Sequence, residues 1–242
     1  MRNWPHQRYM LRLGAVFLLV WGALAIRPYS RADWVLENLL VVPGVLVVAL
    51  SSRRLPLSRI SYTLIFVFLC LHSIGAHHTY AKVPYDSLLQ ALTGRTGAEL
   101  FGWERNHFDR LVHFCFGLLL AYPIRELFVR VAQARGMWGY YLPLEVTMAC
   151  AMIFELLEWL VAVVFGGDLG VAYLGTQGDP WDAQKDMALA TLGGAIAMAI
   201  TAAVNARLQR DFAQEWVESV RVKIRRPLGE DEIERMRKRS KP

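Results

Sequence analysis

Charged residues are missing from most of this chain's length. Only 20% of its 242 residues are Asp, Glu, Lys or Arg while 55% are hydrophobic, and the charges that exist fall between long apolar runs. That distribution excludes an ordinary soluble domain, whose helices and strands carry polar residues at every turn or alternate position. Cysteine is scarce as well. Cys70, Cys115 and Cys150 each lie inside an apolar run and none belongs to a CxxC pair, so neither a disulfide framework nor a zinc ribbon is indicated and they read as small packing residues. There is no HExxH, no glycine-rich phosphate loop following a strand, no inverted repeat of the transporter kind, and no dyad alternation of the barrel kind.

What is there is a series of six apolar runs: Tyr9 to Ile26, Trp34 to Leu50, Ile60 to about His77, Leu111 to about Val129, Leu142 to Phe165, and about Asp186 to Val204. A bilayer core of about 30 Å takes roughly 20 helical residues, and backbone groups in lipid must be satisfied within the segment, so the runs predict an all-α polytopic membrane helix bundle of six transmembrane helices. The second run is short and holds Pro43-Gly44, which admits a kink or a re-entrant segment. The first ends in Ala23-Leu24-Ala25, the pattern of a signal-peptide cleavage site; an uncleaved anchor fits better, because removing this helix would put one end of the charge pattern on the wrong side.

Lys and Arg close to helix ends set the orientation. Arg2, Arg8 and Arg12, then Arg53, Arg54 and Arg59, then Arg125, Arg130 and Arg135, then Arg207, Arg210 and the cluster from Arg221 to Lys241 mark the inner side. Asp33, Glu37, Asp86, Glu99, Glu104, Asp109, Asp168, Asp179 and Asp182 mark the outer connections. Both termini are therefore expected in the cytoplasm, with residues 1–205 as the membrane domain and 206–242 as a basic tail. Phe212, Trp216, Val217, Val220 and Ile224 recur at helical spacing, predicting an amphipathic tail helix along the inner surface. The net charge of +6 and pI near 9.4 then serve topology and attraction to anionic lipid, at about 1 kcal/mol per nearby charge, rather than nucleic acid. Trp21, Trp34, Trp103, Trp138, Tyr140, Tyr141 and Trp181 sit near run ends and read as interfacial anchors. Gly193, Gly194 and Ala197 permit close helix packing.

Ionisable groups inside such a bundle are costly and are the candidates for chemistry. Asp109 and His113 are four apart on one helix face, just after Asn106 and His107; Glu155 and Glu158 are three apart; Asp179, Asp182 and Asp186 follow at three and four; His72, His77 and His78 end the third run. At 1.5 Å per residue, His113 lies roughly 6 Å below the outer surface, His72 and Glu158 roughly 10 Å, and Glu155 roughly 15 Å. Four helices thus bring imidazoles and carboxylates to similar depth on the outer side, which predicts a shared polar pocket. Its donor types suit a divalent metal ion. His77, Asp109, His113, Asp182 and Asp186 are the candidate ligands, and Glu155 or Glu158, with His113, the candidates for acid–base work on a bound water. The same residue types serve a proton- or cation-coupled transporter, with Glu155 and Glu158 as carriers, and a packed hydrogen-bond network would need nothing more. Individually, Asp109 and Asp182 could cap helices, and the histidines could bond to backbone. Whether the chain is an enzyme, and its oligomeric state, stay open at this level.

The segments Gly-Ala-His-His-Thr-Tyr (75–80), Trp103-Glu104-Arg105-Asn106-His107-Phe108-Asp109-Arg110-Leu111-Val112-His113-Phe114, and Gly175-Thr176-Gln177-Gly178-Asp179-Pro180-Trp181-Asp182-Ala183-Gln184-Lys185-Asp186-Met187 resemble the YjdF-type family of bacterial inner-membrane proteins. The resemblance spans the third helix to the sixth, with the first two fitting in topology only; it implies a multi-pass protein of the inner membrane and no particular reaction. The layout of Asp-x3-His-Phe on one helix, Glu on the next and Asp opening the last is more loosely similar to VanZ-like proteins. By that analogy Asp109, His113, Glu155 or Glu158, and Asp182 or Asp186 are the matching positions, and an envelope-related role is implied. The expectation taken forward from the pocket is a protein that binds or acts on a lipid-linked or small amphiphilic molecule.

Overall fold

In the computed structural model the described residues are 4–167, 170, 174, 176–209, 211–223, 227 and 229–239. Arg2, Asp168, Gly175, Arg210, Ile224 and Lys241, which figure in the sequence patterns, lie outside them. The described chain is all-helical: α1 Trp4–Leu24, α2 Arg31–Ser51, α3 Arg59–His77, α4 Tyr85–Thr93, α5 Gly97–Phe101, α6 Phe108–Val131, α7 Trp138–Phe165, α8 Asp182–Leu208, α9 Phe212–Ser219 and α10 Glu230–Arg239. Five of these, α2, α3, α6, α7 and α8, are long and apolar enough to cross a membrane.

Burial is inverted relative to a soluble protein. Leu18, Leu19, Leu39, Leu46, Val47, Leu50, Leu156, Val163, Val164 and Phe165 are exposed, whereas Asp33, Glu37, Asn38, Ser61, His72, Ser73, His113, Thr147, Glu155, Glu158, Asp182 and Asp186 are buried. Apolar surface on that scale is stable only against lipid, and polar groups inside a bundle are the expected counterpart.

Helices α6 and α8 form the central pair, with α7 packed on both, α3 on α6, and α1 and α2 on α3. Small residues set the closeness of the central pair: a Cβ added at Gly117 would overlap the Ala190 carbonyl oxygen, and one at Gly193 would overlap that of Phe114. Gly194 lies against Leu144 and Thr147 of α7. At one end of the bundle α2, α6 and α8 begin while α3 and α7 finish, as the Tyr29 amide to His77 carbonyl bond (2.9 Å) and the Arg105–Asp182 pair (2.5 Å) record. At the other end Glu126 accepts from the Ser58 amide (2.8 Å), the Ser61 hydroxyl (2.6 Å) and Arg130 (2.8 Å), tying α6 to the cap of α3.

Several sequence expectations change here. The second run is one unbroken helix with Pro43 inside it, not a re-entrant segment. Asp33 and Glu37, assigned to an outer connection, are helical residues buried in the first two turns of α2, because the Ser30 cap accepts from the Asp33 amide (3.3 Å) and starts the helix three residues earlier than the apolar run. The α3–α6 connection holds two short helices, the second closed by a Thr96/Glu99 capping box. Tyr140 is buried rather than interfacial: its hydroxyl accepts from Asn205 Nδ2 (2.8 Å) and its ring meets Phe212 and Trp216. The residues from Phe212 onward do not form one surface helix, since α9 ends at Ser219 and folds back onto the start of α7.

Candidate functional site

Helical spacing places Asp109 in the first turn of α6 and His113 one turn on, with the His113 Nε2 3.6 Å from Asp109 Oδ1. From α7, one turn above Glu158, Glu155 turns its Oε1 to 3.5 Å from the same Nε2. From α8, Asp186 completes the group: one ligand atom each of Asp109, His113 and Asp186 fall within 4.8 Å of one another. The glycine contact between α6 and α8 lies one to two turns further in, at Gly117 and Gly193, and is what allows side chains as short as aspartate to meet across the two helices. Glu158 is within hydrogen-bond reach of Glu155, and Glu37 of α2 lies within electrostatic reach of Asp109 and Glu158.

This centre is short of donors. Glu155 Oε1, Asp186 Oδ1 and Glu37 Oε2 are buried with no hydrogen-bond partner, although Asp186 is only 2% exposed and the two glutamates 8%. Buried carboxylate oxygens are seldom left so, since the desolvation penalty of an ion is several kcal/mol unless a counter-charge or donor is supplied. One imidazole nitrogen and two or three carboxylate oxygens make a mixed N/O donor set of the kind that first-row divalent ions take. A tetrahedral ion with bonds of about 2.1 Å needs donors about 3.4 Å apart, so the three side chains must close by under 1.5 Å, within the reach of rotamer adjustment.

A rim of ion pairs covers this centre. Arg105 Nη1 donates to Asp182 Oδ1 (2.5 Å) and to the Thr176 carbonyl (2.9 Å), and its Nη2 to Asp182 Oδ2 (3.2 Å). Arg110 pairs with Asp179 and, at 3.2 Å, with Asp182; Lys185 donates to Asp179 at 2.5 Å. The Lys185 ammonium, the Trp181 amide and Arg110 hold the Asp179 carboxyl well below the usual carboxylate range. Burial and the two guanidiniums push the His107 imidazole down. Asn106 and Gln177 exchange a reciprocal pair, the Asn106 amide to Gln177 Oε1 and Gln177 Nε2 to the Asn106 carbonyl, both 3.0 Å. The rim guanidiniums thus bond rim aspartates, while also lying within electrostatic reach of Asp109 and, for Arg110, of Asp186.

Of the residues singled out in the sequence, the structure brings together Asp109, His113, Glu155, Glu158 and Asp186. It does not bring in Asp182, whose two oxygens are held by Arg105 and Arg110, nor His77, whose Nδ1 donates to the Leu24 carbonyl (2.7 Å) and ties α3 to α1. His72 stands behind the centre: its Nε2 donates to the Glu37 carbonyl (3.2 Å) and the Tyr80 hydroxyl donates to its Nδ1. Glu37 and Arg105 were missed. Glu37 gave the same signal as Glu155, a carboxylate inside an apolar run, whereas the Arg105–Asp182 pair spans 77 residues and leaves no local trace.

The family model described as Predicted membrane protein (DUF2238) matches residues 9–207, which take in every residue of the inner centre and its rim. The inner membrane protein YjdF of Escherichia coli (strain K12) is 36% identical over 191 residues, covering 77% of this chain and 86% of that protein. No solved structure matches.

Proposed function

The chain belongs to the DUF2238 family of predicted membrane proteins, as a multi-pass protein of the inner membrane, and we propose that its intramembrane centre binds a divalent cation through Asp109, His113 and Asp186. The observation that carries this is the set of buried, partnerless oxygens on Glu155 and Asp186 beside the His113 Nε2. A cation there satisfies them, and nearby Arg and Lys side chains are already engaged at Asp179 and Asp182. In the enzyme form of this reading the ion activates water, Glu155 accepts its proton, and the substrate is a lipid-linked or small amphiphilic molecule that reaches the site from the bilayer.

The reading includes a topology. It has six spans, α1 being the sixth despite Arg8 and Arg12, with both termini cytoplasmic, so that the centre opens toward the outer face. Residues 1–205 form the membrane domain, and 206–242 a basic amphipathic tail that binds anionic lipid. A second reading, proton- or cation-coupled transport, draws on the adjacency of Glu155 and Glu158 and requires no retained metal.

Metal analysis of the purified protein tests the proposal. Stoichiometric divalent ion in wild type, lost in both His113→Ala and Asp186→Ala, supports it; metal-free wild type after loading with Zn²⁺ or Mn²⁺ overturns it. Transport instead predicts that Glu155→Gln abolishes proton-coupled uptake while the protein stays folded and metal-free.

A further inference from the structure

Three cations of the rim converge on one carboxylate oxygen. Asp179 Oδ2 lies 2.5 Å from Lys185 Nζ, 3.9 Å from Arg105 Nη1 and in contact with Arg110 Nη2, while its Oδ1 accepts from the Trp181 amide (3.0 Å) just ahead of α8. Two guanidiniums, an ammonium and a backbone amide at a helix start are donors suited to a phosphate group. Asp182 plays a different part: it is buried, takes both prongs of Arg105 and lies 3.2 Å from Arg110, so it holds the two guanidiniums in place. Asp179 belongs instead to the turn before α8, where Gln177 and Gly178 have φ of +46° and +88° and the Asp179 amide donates to the Thr176 carbonyl (2.8 Å). Three cations thus meet two carboxylates. With Asp179 turned away, two positive charges remain, the complement of a phosphate monoester dianion. The cage adjoins the inner centre, since Arg110 directly follows Asp109 on α6, and Lys185 directly precedes Asp186 on α8.

We propose that Arg105, Arg110 and Lys185 form a phosphate-binding subsite, that Asp179 occupies it as an internal stand-in for the anion, and that the phosphate of an amphiphilic ligand displaces Asp179. This rests on the reading of the neighbouring centre as the functional one and deepens it by naming the ligand's headgroup. A phosphate seated in the cage adjoins the residues proposed to hold the cation. Exchange is easiest on the Lys185 side, because the Lys185 side chain is 49% exposed whereas that of Asp182 is 4% exposed.

The test is calorimetric titration of the purified full-length protein with inorganic phosphate and with dioctanoyl phosphatidic acid, dioctanoylglycerol being the phosphate-free control. Wild type is expected to bind phosphate-bearing ligand and not the control. Lys185→Gln is expected to bind about tenfold more weakly, from the loss of one charge-assisted hydrogen bond, and Asp179→Asn about tenfold more tightly, because the competing carboxylate is gone. A purely structural Asp179 gives the opposite sign, since its loss loosens the rim. Tighter binding of phosphatidic acid than of inorganic phosphate identifies a lipid headgroup and equal binding a free phosphate; both support the subsite. Absence of phosphate binding in wild type and Asp179→Asn alike, or binding by Asp179→Asn no tighter than by wild type, overturns it. Metal retained in the same preparation then leaves the metal-binding reading standing.

Discussion

Gly117 of α6 lies directly against the backbone carbonyl of Ala190 on α8, one helical turn below the level at which His113 and Asp186 meet. The contact sets the distance between the two helices that carry the inner centre. A methyl group at position 117 has to push a helix backbone aside, and overpacking of this kind costs about 1–3 kcal/mol. Gly117→Ala and Gly193→Ala are therefore expected to lower thermal stability in detergent and to weaken metal retention together. Gly22→Ala, whose added Cβ meets nothing, serves as the control and is expected to change neither.

The Arg105–Asp182 pair is the strongest element of the rim, bidentate and with only 4% of the Asp182 side chain exposed. Removing one partner of a buried pair typically costs about 3–5 kcal/mol, because the remaining charge loses its counterpart. Arg105→Ala is expected to fall at or below the lower end of that range, because Arg110 still pairs with Asp182 at 3.2 Å. Arg105→Lys recovers only part of it, since an ammonium cannot reproduce the two-pronged contact. If the double variant Arg105→Ala with Asp182→Asn is no more stable than Arg105→Ala alone, the stranded carboxylate is not the source of the cost. Chemical denaturation of the four proteins decides this.

Much of the fold was legible because the signal for a membrane helix is local. An apolar run of sufficient length needs no knowledge of its neighbours, and α3, α6, α7 and α8 follow the runs that announce them to within a turn or so. The spacing of Asp109 and His113, or Glu155 and Glu158, put each pair on one helix face by the same local rule. What local rules could not reach was assignment between neighbours of like chemistry. Asp182 and Asp186 have equal standing in the sequence, and only the arrival of Arg105 from the connection before α6 and Arg110 from α6 itself separates the rim aspartate from the inner one. His77 and Glu37 show the same limit: which way each faces depends on helices 53 and 35 residues away, through Leu24 and His72.

Asp179 gives the rim a pH dependence whose sign follows from its partners. Its carboxyl is held below the ordinary range by Lys185, the Trp181 amide and Arg110, so the folded state keeps it ionised where an unfolded chain, with a value of about 3.9, takes up a proton. Its contribution is present in full above about pH 5 and is lost as pH falls through 4 and below. Melting temperature measured from pH 7 to pH 3 for wild type and Asp179→Asn is expected to show a gap at neutral pH that narrows in acid. A constant gap would assign the effect of the substitution to lost packing or hydrogen bonds alone.

The docking of α9 carries the last prediction. Its far end is fixed by the Met137 amide donating to Ser219 Oγ (3.0 Å) and Trp138 Nε1 donating to the Ser219 carbonyl (2.8 Å). Its middle is fixed by Trp216 packed at a tilt against Tyr140, ring centroids 5.4 Å apart, with the Arg125 guanidinium 4.6 Å from the Tyr140 ring. Gly136 admits this approach, because its φ of +54° suits glycine and a Cβ there would overlap Ser219. An aromatic pair contributes about 0.5–1.5 kcal/mol beyond area burial, so Trp216→Ala is expected to raise the undocked population by roughly 2- to 13-fold even before the lost area is counted. Limited proteolysis reads that population directly as faster cleavage between α8 and α10. Because α9 sits at the opposite end of the bundle from the proposed metal ligands, the same variant is expected to retain as much metal as wild type. Loss of metal in Trp216→Ala would show that the two ends are coupled through α7 and α8.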